Sequence, residues 1–88
     1  MVEKKFVIVN KMGLHARPAA LFAQTANKFR SEVRLIKEGV EVNAKSIMGL
    51  MMLAAEAGSE VVLKVWGADE EKAFDSLAQL ITGKFHED

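Results

Sequence analysis

Four segments of the chain carry the residue pattern of β-strands. Residues 6–9 form a β-branched and aromatic run, and residues 33–37 and 61–66 place apolar side chains at alternate positions. Residues 40–43 follow the second segment after only Glu38-Gly39, a link that closes a tight hairpin with glycine at positive φ. The second and third segments are therefore predicted to pair antiparallel.

Three other segments repeat apolar residues at the spacing of an amphipathic helix. The first covers residues 16–28, and the second runs from an N-cap at Ser46 through Leu53. The third follows the turn at residues 67–69, has acidic residues in its first turn and ends at Gly83. The predicted core side chains of the first and third helices are Ala19, Phe22, Ala23, Ala26, Phe29, Ala73, Phe74, Leu77, Leu80 and Ile81.

These elements follow one another in the order βαββαβα. Alternating strands, and helices with one apolar stripe each, predict an α+β fold. The form expected is an open-faced β-sandwich, in which three helices cover one face of a four-stranded antiparallel sheet. The pattern alone does not separate this fold from a ferredoxin-like sheet, whose βαββαβ order is almost the same.

The composition narrows the classes of partner and chemistry. A length of 88 residues predicts a single domain over residues 1–88. Lys and Arg number 12 and Asp and Glu number 12, a balance that predicts protein partners and no nucleic acid. The chain has no cysteine, which excludes disulfides and thiolate chemistry. No apolar run approaches the length of a membrane span, and residues 1–5 lead directly into an apolar strand pattern instead of a signal-peptide core. We therefore expect a mature cytoplasmic protein without membrane insertion.

The segment GLHARPAA at residues 13–20 places candidate chemistry at a helix start. The backbone N–H groups of Ala16 and Arg17 are free near the imidazole whether His15 or Ala16 opens the helix. Pro18 suits a helix first turn and adds no donor. These donors, the helix dipole and the Arg17 guanidinium favour an anion such as phosphate. Since neutral imidazole is a nucleophile near pH 7, the motif predicts that His15 carries a phosphoryl group transiently.

This motif and a second one, KSIMGL at residues 45–50, resemble the HPr family of histidine phosphocarriers in the bacterial sugar phosphotransferase system. The resemblance extends over nearly the whole chain and implies the same open-faced fold. It implies that His15 takes phosphate, on Nδ1, from enzyme I, the phosphoenolpyruvate-dependent kinase, and gives it to sugar-specific carrier proteins. Arg17 matches the family's arginine, and Ser46 matches a regulatory phosphorylation site of many Gram-positive bacteria.

The resemblance also implies further partners. A serine kinase/phosphorylase and a catabolite-control transcription factor are the partners expected for Ser46. In an organism without that kinase, a role limited to capping its helix fits the residue equally well. We expect no cofactor and a monomeric chain. Two histidines as differently placed as His15 and His86 predict no metal site, and His86 is expected to have no role.

The helix that follows Ser46 is apolar almost all round, which is unusual for a short surface helix. At about 100° per residue, Leu50, Leu53 and Ala54 share an arc that is assigned to the core. The opposite arc is predicted to be exposed and to adapt to several partners, although methionines at this spacing also fill irregular cores. This methionine arc consists of Ile47, Met48, Met51 and Met52. The resemblance implies a docking surface made of Ala16, Ala20, Ile47, Met48 and Met51.

The sequence raises a structural question at two residues, Met12 in the loop before His15 and Trp66 on the last strand. Met12 stands where the family often has a small polar residue that orients the loop or the histidine, so we expect that contact to be absent. Trp66 is assigned either to the core or to an edge of the sheet.

Two other functions fit part of the pattern. A small acylphosphatase-like hydrolase shares the size, the element order and an arginine near a helix start, but no asparagine is clearly placed to orient the attacking water. A regulatory paralogue that docks transcription factors through Ser46 without transferring phosphate would lack the histidine present at position 15. A phosphocarrier is therefore the preferred interpretation.

Overall fold

Across residues 1–87, which the computed structural model describes, four antiparallel strands form one sheet. The strands are β1 (Val2–Val7), β2 (Glu32–Lys37), β3 (Val40–Asn43) and β4 (Glu60–Trp66), and they lie in the order β1-β4-β2-β3. The helices are α1 (Ala16–Ala26), α2 (Ile47–Leu53) and α3 (Glu70–Thr82), and a 3-10 turn follows at Lys84–His86. The predicted fold class, an open antiparallel sheet of four strands with three helices, is confirmed.

In the two central strands, β4 and β2, successive side chains point alternately into the core and toward the open face of the sheet. Inward side chains such as Leu35 and Leu63 are buried, while the alternate β4 residues Val62, Lys64 and Trp66 are only half-buried. Trp66 lies on the open face, with the cationic groups of Arg34 and Lys64 5.8 and 5.5 Å from its ring centroid. Because β4 is an inner strand, Trp66 belongs neither to the core nor to an edge of the sheet.

The first strand and the first helix differ from their predicted bounds. β1 begins four residues earlier than predicted and ends at Val7, since its ladder with β4 runs from Val2–Val65 to Val7–Glu60. Its polar residues are accommodated because their exposed side chains do not affect backbone pairing. α1 ends at Ala26, and the backbone N–H of Asn27 donates to the carbonyl oxygen of Ala23 as a C-cap.

The predicted core stripes are confirmed for most of their positions. Every predicted core residue of α1 and α3 is buried except Phe29 and Phe74, which pack partly buried against the same core. The assignment of Ala54 to the core is wrong. α2 ends at Leu53, so Ala54 takes a left-handed conformation (φ 53°) as the C-cap and its side chain is exposed. Four core residues outside the predicted strands and helices were missed: Leu14, Ala44, Ala55 and, after Gly83 in the tail, Phe85 are buried.

Candidate functional site

His15 is the N-cap residue of α1. Its backbone is extended (φ −84°, ψ −170°), and its carbonyl oxygen accepts the first helical hydrogen bond, from the N–H of Ala19. Helix geometry then leaves the N–H groups of Ala16 and Arg17 without intrahelical acceptors. The imidazole forms no capping hydrogen bond and is 36 % exposed. The ring is thus accessible at the positive end of a helix dipole.

The loop before His15 is held by its backbone. Gly13 has a φ of +70°, and a Cβ atom there would lie 2.7 Å from the carbonyl oxygen of Ala55. That same oxygen accepts a 2.8 Å hydrogen bond from the N–H of Leu14. Only glycine allows both the left-handed conformation and this close approach. The loop therefore places His15 by packing directly on the segment that follows α2.

Asn10 is a site residue that sequence reasoning missed. Its side chain is completely buried, and its Nδ2 donates to the carbonyl oxygen of Gly13 at 2.7 Å and to Oε1 of Glu87 at 2.9 Å. Met12, by contrast, is 70 % exposed. Asn10 thus supplies a side-chain hydrogen bond to the loop from two positions before Met12. The available sequence signal was an asparagine directly after the apolar run of residues 6–9, because an asparagine that becomes buried there needs hydrogen-bond partners.

Glu87 is the second missed residue, and it contacts the imidazole directly. Its Oε2 lies 2.8 Å from Nε2 of His15, and the Glu87 side chain is 17 % exposed. The hydrogen bond from Asn10 lowers the pKa of the Glu87 carboxyl below its ordinary value. The hydrogen bond from His15 and the charge of Arg17 act in the same direction, while partial burial opposes them. Glu87 therefore remains ionised at neutral pH.

The C-terminal tail reaches the site because Phe85 anchors it. The buried Phe85 ring packs against Phe22 of α1, with 6.2 Å between the ring centroids. An open depression of about 540 Å³ adjoins this anchor. Its lining residues are Lys11, Met12, Arg17, Leu21, Phe85, His86 and Glu87. Arg17 and His86, 69 positions apart in the chain, thus share one surface next to His15.

The methionine arc is exposed, as its helical spacing predicts. Met48 and Met52 are 68 % and 76 % exposed, while Leu50 and Leu53 on the opposite arc are buried. Ser46 is the N-cap of α2, and its Oγ accepts a 3.0 Å hydrogen bond from the N–H of Gly49. α2 packs against α1, which carries the exposed Ala16 and the half-buried Ala20.

Two negative findings apply to the part of the chain that the structure describes. Among residues 1–87, no three His, Asp or Glu side chains are grouped so that they could hold a metal ion. Within the same range, no helix has both the length and the apolar character needed to cross a membrane.

Known proteins with a similar sequence and structure cover the whole chain. The family model described as "PTS HPr component phosphorylation site" matches residues 2–83. Phosphocarrier protein HPr of Xylella fastidiosa is 46% identical over 88 residues, which are 100% of this chain and 99% of the relative. HPr-like protein Crh of Bacillus subtilis is 54% identical over 81 residues, covering 92% and 95%. The crystal structure of HPr-C-His from Thermoanaerobacter tengcongensis superimposes with a TM-score of 0.96 at 52% identity, covering 100% and 99%.

Proposed function

The chain belongs to the HPr family, the phosphocarrier proteins of the phosphotransferase system, and from this premise we propose that its phosphoryl group is carried on His15. Enzyme I supplies the group, and sugar-specific carrier proteins receive it. The observation that carries this proposal is the accessible imidazole of His15 at the N-terminus of α1, where the helix dipole and free N–H groups favour a phosphate.

Each of the surrounding groups has a role in this proposal. His15 is the nucleophile, and the backbone N–H groups of Ala16 and Arg17 bind the phosphoryl oxygens. The Arg17 guanidinium is exposed at the edge of the depression, where it can neutralise charge on a phosphoryl group in transit between two proteins. The chain acts as a carrier, because the phosphoryl group leaves His15 for another protein.

Phosphorylation by enzyme I tests the proposal directly. The full chain, incubated with phosphoenolpyruvate and catalytic amounts of enzyme I, is expected to gain one phosphate that is stable in alkali and labile in acid, as a phosphoramidate is. The measurement is the intact mass before and after acid treatment. No phosphate, or one that survives acid, would contradict the proposal.

A second candidate function is regulatory docking without phosphate transfer, and the similarity to HPr-like protein Crh favours it. His15 separates the two functions, because a purely regulatory protein needs no phosphoryl acceptor. The same incubation with phosphoenolpyruvate and enzyme I therefore discriminates between them.

The proposed docking surface joins the start of α1 to the methionine arc, as Ala16, Ala20, Ile47, Met48 and Met51. The exposure of its side chains supports this docking surface. Ile47, Met48 and Met51 are 42, 68 and 43 % exposed, on a helix that packs against α1. Flexible, polarisable methionine side chains suit a carrier that must bind partners of different shape.

Met48→Glu is expected to raise the KM of enzyme I for this chain about tenfold, because a carboxylate loses hydration in an apolar interface. The free energy of unfolding should change by no more than about 0.5 kcal/mol, since Met48 is 68 % exposed. Val40→Glu, at an exposed position of β3, adds the same charge elsewhere and serves as the control. An unchanged KM for Met48→Glu would remove Met48 from the docking surface.

Ser46 is proposed as a regulatory phosphorylation site next to the docking surface. It caps α2 and is followed by the exposed Ile47 and Met48, so a phosphate there would be desolvated against an apolar interface. That desolvation costs several kcal/mol when the phosphate is poorly paired. Repulsion between unit charges on the order of 10 Å apart amounts to about 0.4 to 1.7 kcal/mol and is screened by salt. A phosphate on Ser46 is therefore expected to slow transfer to His15 more by weakening docking than by charge repulsion.

Ser46→Asp is expected to keep the fold, since Asp is also a good N-cap, and to slow phosphorylation of His15 by enzyme I. The slowing should persist in about 1 M salt, where the Debye length is about 3 Å. Ser46→Asn, which caps without charge, is the control. The measurement compares the initial rates of phosphoryl transfer to His15 at low and high salt. Full recovery in high salt would show that charge repulsion, rather than lost docking, is responsible.

The location, oligomeric state and domain organisation of the chain are also part of this proposal. We place the carrier in the cytoplasm, as a monomer with a single domain over residues 1–88. The match to HPr relatives over their full length supports the cytoplasmic location and the single domain.

A further inference from the structure

We propose that Glu87 is a positioning residue for phosphoryl transfer: its carboxylate keeps the ring proton of His15 on Nε2 and so leaves Nδ1 as the nucleophile. The inference rests on the proposed function and adds to it a residue from the opposite end of the chain. Glu87 does not touch the phosphoryl group and acts only through the imidazole.

The two oxygens of the Glu87 carboxylate have different partners. Oε1 accepts a hydrogen bond from Nδ2 of Asn10 at 2.9 Å, and Oε2 lies 2.8 Å from Nε2 of His15. An ionised carboxylate can only accept hydrogen bonds, so Nε2 must be the donor. In a neutral ring the other nitrogen, Nδ1, then carries the free lone pair.

The carboxylate is held in place from two sides. Asn10 is completely buried, and its amide is also bound to the carbonyl oxygen of Gly13 in the loop that delivers His15. On the tail side, the buried Phe85 fixes the chain two residues before Glu87. Groups that orient a reacting histidine work best when their own geometry is fixed in this way.

The transfer step needs no proton movement in this arrangement. The lone pair of Nδ1 attacks phosphorus, the new P–N bond forms, and the bond from phosphorus to the donor breaks with its electron pair leaving on the donor. Because Nε2 keeps its proton, the phosphorylated ring is cationic, and the Glu87 carboxylate neutralises it. In onward transfer the electron pair of the P–N bond returns to Nδ1.

Glu87→Gln tests this role at nearly constant side-chain shape. A glutamine has one oxygen in place of two, so at this shape its oxygen can face Asn10 or His15 but cannot occupy both positions. Where the amide N–H groups of the glutamine face the His15 ring, Nε2 must accept a hydrogen bond, and the ring proton moves to Nδ1. We expect ¹⁵N NMR of the unphosphorylated, neutral ring to show Nε2–H alone in the wild type and a mixture in the variant. The kcat for phosphorylation by enzyme I should fall about tenfold, the effect of a charge-assisted hydrogen bond, with KM unchanged.

Glu71→Gln is the matched control, because it removes the same charge from an exposed position in the first turn of α3. It should match the wild type in both measurements. A Glu87→Gln protein with only Nε2–H, or with an unchanged kcat, would overturn the inference. If the wild type accepts no phosphate, the proposed function fails, and the NMR measurement still decides whether Glu87 sets the ring proton.

Discussion

His15→Ala is expected to abolish the acid-labile phosphate that enzyme I places on this chain. In residues 1–87 the other imidazole is His86, which lines the depression in the 3-10 turn rather than preceding a helix. Neither Arg17 nor the backbone N–H groups can replace a nucleophile, since they only donate hydrogen bonds. Removing the phosphoryl acceptor should therefore lower transfer below detection, rather than slow it.

The fold should tolerate His15→Ala. The imidazole makes no capping hydrogen bond, and its contact with Glu87 is partly exposed, so we expect a loss of about 1 kcal/mol or less. Thermal unfolding checks this, and mass spectrometry before and after acid treatment checks the phosphate. His86→Ala removes the other histidine and should leave phosphorylation intact. Acid-labile phosphate on the His15→Ala protein would show that another residue is the acceptor.

Gly13→Ala is expected to lower the free energy of unfolding by about 2 to 5 kcal/mol. The left-handed backbone costs a non-glycine residue about 1 to 2 kcal/mol, and forcing a methyl group into an occupied space costs about 1 to 3 kcal/mol more. The atoms in the way belong to backbone: the new Cβ would meet the Ala55 carbonyl oxygen at 2.7 Å and the Glu56 Cα at 2.9 Å. Neither atom can rotate aside as the end of a side chain could.

Gly39→Ala separates the two contributions. Gly39 also has a positive φ, +81°, but an added Cβ would have no atom within 4 Å. Only the conformational cost of about 1 to 2 kcal/mol should remain there. Urea denaturation of both variants measures the difference. Equal losses would show that the close approach of Gly13 to Ala55 does not constrain the loop.

Much of the fold follows from local pattern. The alternation in β4, the Glu38-Gly39 hairpin and the apolar stripe of α3 are each contained within a few consecutive residues, and the structure confirms all three. β1 is different, because its start at Val2 depends on pairing with β4 some 60 residues later. Ala54 was misassigned because helical spacing assumes that a helix continues, and α2 stops one residue earlier.

The sequence by itself located the candidate chemical centre of this protein. His15 directly precedes α1, which starts at Ala16, and Ser46 directly precedes α2. Short-range sequence patterns were therefore sufficient to locate these residues. Their roles in transfer and regulation remain predictions.

Only the tertiary structure decided what holds the imidazole. Glu87 binds the His15 ring from 72 positions away, Asn10 binds the other oxygen of the same carboxylate, and Phe85 anchors the tail on Phe22. Helical or strand periodicity carries no information about such a contact. It forms because burying Phe85 against Phe22 brings the tail to the loop, where the buried Asn10 requires a hydrogen-bond partner.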